Sequence, residues 1–294
     1  MEGFAQQIVN GLSIGSIYAV FAIGCTLIFG VLNIINLAQG AFLMVGACAG
    51  LEAARLGFPL PVALLVAAVG GGILGALSEQ FMFRPLRKAG GHRWMGLVAS
   101  LALARLLVGV AQEIFGTEVQ AYPPSSISTI IWQIGGVRIQ ALQVIIILAA
   151  LLLMLLFAFI LQRTSIGRAI RTVAFSEDVA QIVGVRVESA TLVTFFIAGA
   201  LAGAAGLLLG VLFNVVSPFM GDSALVKGLT VMILGGLGNI PGAVAGGFLL
   251  GLLEVFSIAY VSSAFRDAIG FGLIFLILLV KPTGLFSGFE ERRA

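Results

Sequence analysis

Few side chains in this sequence could do chemistry, and those that could are suited to binding solutes or partners. Three amides, Asn33, Asn36 and Gln39, fall in the stretch Val31–Gly40, and a fourth, Asn239, falls in Leu234–Gly242 beside Gly235 and Gly236. A primary amide donates and accepts hydrogen bonds at once, so it holds a small polar solute without a proton changing hands. Arg105 and Glu254 are charges within otherwise apolar stretches, at similar depth when counted from the basic end of each. A buried ion pair between them is expected, either as a structural brace or as part of a transport path. An unpaired charge at the centre of a membrane span costs at least about 2.5–3.5 kcal/mol, so each must find a partner or water.

The third group is a loop. Arg163, Arg168, Arg171, Glu177, Asp178, Arg186 and Glu188 crowd into residues 163–188, RTSIGRAIRTVAFSEDVAQIVGVRVE. Ile166, Ile170 and Val173 recur at i, i+4, i+7, and Val179, Ile182 and Val183 at i, i+3, i+4, so the loop carries helical periodicity. Ser176 followed by Glu177 and Asp178 reads as a helix start, and Gly184 as its stop. A short amphipathic helix with a greasy face and no internal partner would serve either as a docking surface or as a helix lying on a membrane.

Bond-breaking chemistry has no constellation to support it. There is no G-x-x-x-x-G-K-[ST] phosphate loop, no metal-ligand cluster and no nucleophile paired with a base. Cys25 and Cys48 lie inside apolar segments and give neither a disulfide nor a metal signature. No chain of intramembrane acids suggests proton coupling, and no Arg-rich helix suggests a voltage sensor. Energy for uphill transport would therefore enter through another subunit.

The elements that must position these groups are membrane spans. Of 294 residues 60% are hydrophobic and only 10% charged, with a mean hydropathy of +1.14. Soluble domains carry roughly 25% charge, so the expectation is an all-α polytopic integral membrane protein forming one domain over residues 1–294. The net charge of +3 is small, which gives no reason to expect a nucleic-acid partner. Spans are expected at about 5–30, 38–56, 61–83, 94–112, 140–162, 188–212, 223–237, 240–262 and 265–280, the seventh short enough to be a half-helix. The first lacks the basic flank of a signal peptide and is expected to be retained.

Lys and Arg set the orientation. Arg84, Arg87, Lys88 and Arg93, the segment 163–187, and Lys281, Arg292 and Arg293 mark cytoplasmic loops and the C-terminus. The connection 113–137 has no Lys or Arg and should face outward. Nine crossings with an outer N-terminus satisfy these constraints; eight, with one segment re-entrant, is the alternative. Glu79 can snorkel or pair with Arg84, and Lys227, Arg266 and Asp267 are expected near outer span ends. His92 is expected to be solvated in its basic loop.

The two amide stretches resemble each other, aligning Gly30 on Gly236, Asn33 on Asn239, Ile34 on Ile240 and Gly40 on Gly246. Each is either a broken helix lining a substrate path or a tight turn at the membrane surface, since either satisfies the backbone. Gly11 and Gly15, and Gly199, Gly203, Gly206 and Gly210, stand at spacings that let helix backbones approach closely.

The segments NGLSIGSIYAVFAIGCTLIFGVLNIINLAQGAF, GRAIRTVAFSEDVAQIVGV, LGGLGNIPGAVAGG and LVKPTGLF resemble the permease subunits of branched-chain amino-acid ABC importers, and the length is similar to the LivH-type member of the usual pair. The resemblance implies a bacterial or archaeal inner-membrane protein paired with a second, LivM-like permease. Two ATP-binding cassette subunits would sit in the cytoplasm, with ATP and magnesium bound there and no cofactor on this chain. A substrate-binding protein would dock outside. The coupling segment of the family maps onto Gly167–Gly184, so Gly167, Arg168, Arg171, Ser176, Glu177, Asp178, Ile182 and Gly184 become candidate ATPase-coupling residues. Here that helix starts Ser176-Glu177-Asp178 where an Ala-Glu-Asp-like start is expected, a small departure.

The expected function is import of branched-chain amino acids by alternating access, without catalysis by this chain. Urea, short amides and aromatic acids are substrates of relatives with the same motifs. A secondary transporter or channel without an ATPase is the alternative, and a membrane scaffold a third.

Overall fold

The computed structural model describes residues 2–260 except 34, 91–92, 124–129 and 135, and beyond them only single positions between 262 and 285. Long helices dominate, as expected for a chain whose backbone must satisfy itself in hydrocarbon. They are α1 (Glu2–Leu32), α2 (Gln39–Arg55), α3 (Leu60–Ser78), α4 (Arg84–Lys88), α5 (Arg93–Phe115), α6 (Ala141–Arg163), α7 (Ser165–Phe175), α8 (Glu177–Ile182), α9 (Val187–Phe213), α10 (Met220–Gly235) and α11 (Ile240–Tyr260). One π-helical turn, Glu79–Phe83, joins α3 to α4. Among the described residues six helical segments are long and apolar enough to cross a membrane: 3–31, 60–88, 94–115, 141–163, 187–213 and 240–260. The chain is thus a multi-pass helical membrane protein. α2, with 17 residues, and α10, with 16, rise only about 24–26 Å, less than a hydrocarbon core of about 30 Å. The expected ninth span, with Arg266 and Asp267, lies almost wholly outside the described residues, as do His92, Arg292 and Arg293.

One exception to the helices lies in the connection between α5 and α6. Strands β1 (Ile131–Ile134) and β2 (Val137–Gln140) form an antiparallel hairpin, Ile131 opposite Gln140 and Ile134 opposite Val137. Its amides fasten the start of α1. Gln6 donates to the Arg138 carbonyl at 3.0 Å and accepts from the Arg138 amide at 2.8 Å, and Gln143 of α6 donates to Asn10 at 2.9 Å. The start of α1 therefore lies at the same end of the bundle as the Lys- and Arg-poor connection. At the other end, Glu188 pairs with both Arg84 and Lys88, drawing the two basic loops together.

Small residues set the packing. α9 is 72% buried over its apolar window, and a methyl group on Gly199 or Gly203 would overlap the backbone of Gly71 or Ala67 in α3. Gly206 meets Leu43 of α2 in the same way, while Gly11 and Gly15 lie against Leu252 and Phe248 of α11. Without a hydrophobic drive between helices, such backbone approach supplies the van der Waals contact that holds them. α3, α5 and α6 are instead only 22–28% buried over their apolar windows and form the periphery.

Candidate functional site

The two amide stretches are physically different structures, and they meet. α1 ends with Asn33 in the left-handed region (φ 52°), its amide still donating to Phe29 at 2.7 Å. Residues 35–38 are not helical. Asn36 folds its side chain onto the backbone, Oδ1 accepting from the Ala38 amide at 3.0 Å, while the Leu37 amide donates to Ser100 Oγ of α5 at 3.1 Å. Gln39 then donates from Nε2 to the carbonyl of Ala198, near the middle of α9, at 2.8 Å. The same nitrogen lies against Gly24, where a Cβ would approach to 2.8 Å. Gly24 is eight residues before the end of α1, so the chain has doubled back by on the order of 12 Å before α2 begins. The first stretch is therefore a break within the bundle and not a turn at its edge.

The second stretch is the tight turn. Gly236 (φ 96°) and Gly238 (φ 82°) turn the chain between α10 and α11, and Asn239 caps α11 by accepting from the Gly242 amide at 3.0 Å. Gly235 lies against Gly242 with no room for a side chain on either. Asn33 thus closes a helix where its aligned partner Asn239 opens one, and the alignment does not carry over to backbone roles. The two stretches touch at Gly30 and Gly238, where a Cβ on the first would lie 3.7 Å from the second.

Asn36 and Gln39 are 6% and 0% exposed, yet Asn36 Nδ2 and Gln39 Oε1 have no hydrogen-bond partner among the described residues. Buried polar atoms are seldom left so, and a pair of half-satisfied amides at a helix break suits water or a polar solute. Asn33 is exposed, Gly235 and Gly236 are buried, and Asn239 is half-buried. By contrast, a cavity of about 220 Å³ between α2, α3 and α5 is lined by Phe42, Leu74, Phe81, Met82 and Leu103, and its Ser78 hydroxyl is spent on the Gly75 carbonyl at 2.6 Å.

The charges are paired, but not as the sequence suggests. Arg105 does not reach Glu254. Its Nη1 lies 2.9 Å from Asp222 Oδ2, at the start of α10, and both side chains are substantially exposed. Glu254, 2% exposed, pairs with Lys227 at 2.5 Å and accepts from the Tyr18 hydroxyl at 2.9 Å. Lys227 also lies 5.5 Å from the centre of the Tyr18 ring. Lys227 is therefore a bundle residue, not an interfacial one, because α10 starts beside Gly40 at the first turn of α2 rather than at a membrane edge. Glu79 pairs with Arg87 and not with Arg84, which Glu188 occupies.

The segment 163–187 forms two helices. Thr164 caps α7, accepting from the Gly167 amide at 3.1 Å, and Ser176 caps α8, accepting from Val179 at 3.3 Å. Gly184 ends α8 with φ 77°, as expected. The greasy face of α7 does have an internal partner. Gly167, Ile170 and Val173 are buried, Gly167 against the carbonyls of Ile160 and Leu161, and Arg171 donates to Leu161 at 2.8 Å. α8 retains an open face, with Ile182 85% exposed, Val183 65% and the adjoining Phe175 76%. Arg168, Glu177 and Asp178 are exposed around it.

The structure is thus a multi-pass helical membrane bundle with an internal break, half-satisfied buried amides and paired charges. The chain belongs to the family of branched-chain amino acid transport system permease components, whose model matches residues 7–279. Curated relatives include the high-affinity branched-chain amino acid transport system permease protein BraD of Pseudomonas aeruginosa, 32% identical over 97% of this chain and 96% of that one. The LivH permease protein of Escherichia coli is 33% identical over 97% of this chain and 96% of its own. Among solved structures, PsaBC from Streptococcus pneumoniae in complex with Fab shares the fold at a TM-score of 0.50 and 14% identity, over 93% of this chain and 91% of that chain.

Proposed function

We propose that this chain is the membrane-spanning subunit of an ATP-driven, binding-protein-dependent importer of branched-chain amino acids, acting by alternating access. The match over nearly the whole length to permease proteins of such systems carries the reading. Residues 1–294 act as one transmembrane domain in a bacterial or archaeal inner membrane, with eight or nine crossings and the N-terminus outside. A second, LivM-like permease completes the path. Two ATP-binding cassette subunits bind ATP and magnesium, so this chain needs no cofactor of its own. A substrate-binding protein docks on outer loops that include the 131–140 hairpin.

The open apolar face of Phe175, Ile182 and Val183, at the basic end of the bundle, supports α8 as the ATPase docking element. Gly167 and Arg171 hold α7 against the end of α6, so force on α8 passes into a membrane helix. Asn36 and Gln39 line the path as hydrogen-bonding groups for the solute. ATP and the loaded binding protein shift the conformational equilibrium only if each prefers one state. The test is a mild-detergent pull-down through a tag on this chain, wild type beside Ile182→Asp with Val183→Asp. ATP-binding subunits recovered with wild type and lost with the double variant support the reading. A folded wild type that brings down no ATPase, with uptake abolished by an uncoupler, would move the chain to the secondary transporters.

A further inference from the structure

The charge pair of Arg105 and Asp222 is in the wrong place for a surface salt bridge. Arg105 sits midway along α5, five residues past Ser100, which accepts from Leu37 in the helix break. Asp222 follows Gly221, whose backbone packs on Gly40 in the first turn of α2. Gln39, one residue earlier, bonds Ala198 near the middle of α9. These contacts place both charges at the central level of the bundle, yet the Arg105 and Asp222 side chains are 59% and 48% exposed. Hydrocarbon does not tolerate open charges at that depth, so this face meets water or protein and not lipid tails. The pair is also incomplete, since its 2.9 Å contact uses one guanidinium nitrogen and one carboxylate oxygen.

We infer that Arg105 and Asp222 form a binding site for the zwitterionic head of an α-amino acid on the translocation path. The substrate carboxylate takes the Arg105 fork, for which a guanidinium offers two parallel donors, and the α-ammonium takes a carboxylate oxygen of Asp222. The resident ion pair opens and two intermolecular pairs replace it, with no charge left alone at either stage. When the solute departs, the side chains close on each other again, so the site is never an unpaired charge in the membrane. Phe219, whose carbonyl accepts from the Asp222 amide at 3.2 Å, is 49% exposed, apolar surface suited to an aliphatic side chain. A neutral solute gains nothing from opening the pair, so the site selects zwitterions. This inference rests on the importer reading and adds the residues that recognise the substrate class.

The experiment uses the complete complex, purified through a tag on this chain and reconstituted in proteoliposomes with its binding protein. ATP-driven uptake of radiolabelled leucine by wild type comes first; its absence would overturn the importer reading and, with it, the inference built on that reading. Given that uptake, Asp222→Asn and Arg105→Gln should each lower it about 10- to 100-fold, the usual weight of a hydrogen bond to a charged group, while the subunits still co-purify. Next, Asp222→Cys is placed in a Cys25→Ala, Cys48→Ala background and treated with methanethiosulfonates. The sulfonate-bearing reagent should restore uptake, the trimethylammonium reagent should not, and leucine should protect the thiol from both. Normal uptake in both neutral variants would overturn the inference. So would loss of the second permease from the purified complex, which would make the pair an interface brace. A thiol at 222 inert to both reagents would place it away from water and overturn it too.

Discussion

Lys227 Nζ lies 2.5 Å from Glu254 Oε1, and the Tyr18 hydroxyl donates to the other carboxylate oxygen at 2.9 Å. Three helices, α10, α11 and α1, are joined at this one carboxylate. A buried pair is weak evidence for net stability, because taking two charges out of water costs nearly what their attraction returns. Its value here is in registration: the pair is satisfied only at one rotation and depth of the short helix α10.

Glu254→Ala removes the carboxylate that Lys227 faces while leaving the cation in place, which should destabilise by roughly 3–5 kcal/mol. Replacing both, as Lys227→Met with Glu254→Gln, should recover most of the loss. Thermal melting of the detergent-purified protein by fluorescence-detected size exclusion checks this. An unchanged melting temperature in Glu254→Ala would show that the pair carries no weight.

Gly203→Leu should prevent α3 and α9 from closing, since even a methyl group there overlaps Ala67 backbone. Overpacking in a filled core costs about 1–3 kcal/mol, and more where the obstacle is backbone. The readout is trypsin sensitivity in membranes, where fragments from a splayed bundle should replace the intact band. Gly109→Ala, on α5 with open space around it, is the control.

Ser176→Ala should cost α8 about 1 kcal/mol, the ordinary worth of an N-cap, without disturbing the bundle. Fewer molecules would then present Ile182 and Val183 in helical form, so ATPase recovery in the pull-down should weaken several-fold. Ser176→Asp keeps the cap and should behave as wild type. Equal recovery from all three proteins would remove the cap from the coupling argument.

Gly3→Cys and Ala174→Cys should label from opposite sides of the membrane. An impermeant maleimide added to intact cells should reach position 3, and position 174 only after permeabilisation. Cys25 and Cys48, 7% and 2% exposed, should give little background. Labelling of both positions from the same side would contradict the orientation set by Lys and Arg.

What the sequence made legible was whatever depends on neighbours along the chain. Hydropathy located the long helices within a few residues, Ser176 and Gly184 bounded α8, and the glycine spacings marked the tight seams. Partners across the bundle were not legible, because they depend on where each helix starts in depth. Lys227 read as interfacial on the assumption that α10 began at the outer edge; α10 begins beside Gly40 instead, which carries Lys227 inward to Glu254. Arg84 lay close enough to Glu79 to seem its partner, yet it is held by Glu188, 104 positions on. The amide stretches looked alike because Gly and Asn both permit breaks and turns. The contacts of Gln39 with Gly24 and Ala198, and the cap that Asn239 makes on α11, separate one from the other.

α6 has a consequence of its own. At its first turn Gln143 is tied to Asn10, next to the hairpin, and at its last turn it passes through Thr164 into α7, clamped by Arg171 on Leu161. Its 23 residues make a rod of about 34 Å. Each joint is a hydrogen-bonded hinge pin rather than a free loop, so tipping the rod at one face must swing the other. A single lever therefore runs the height of the bundle, from the hairpin that clasps α1 to the short helices at the basic end.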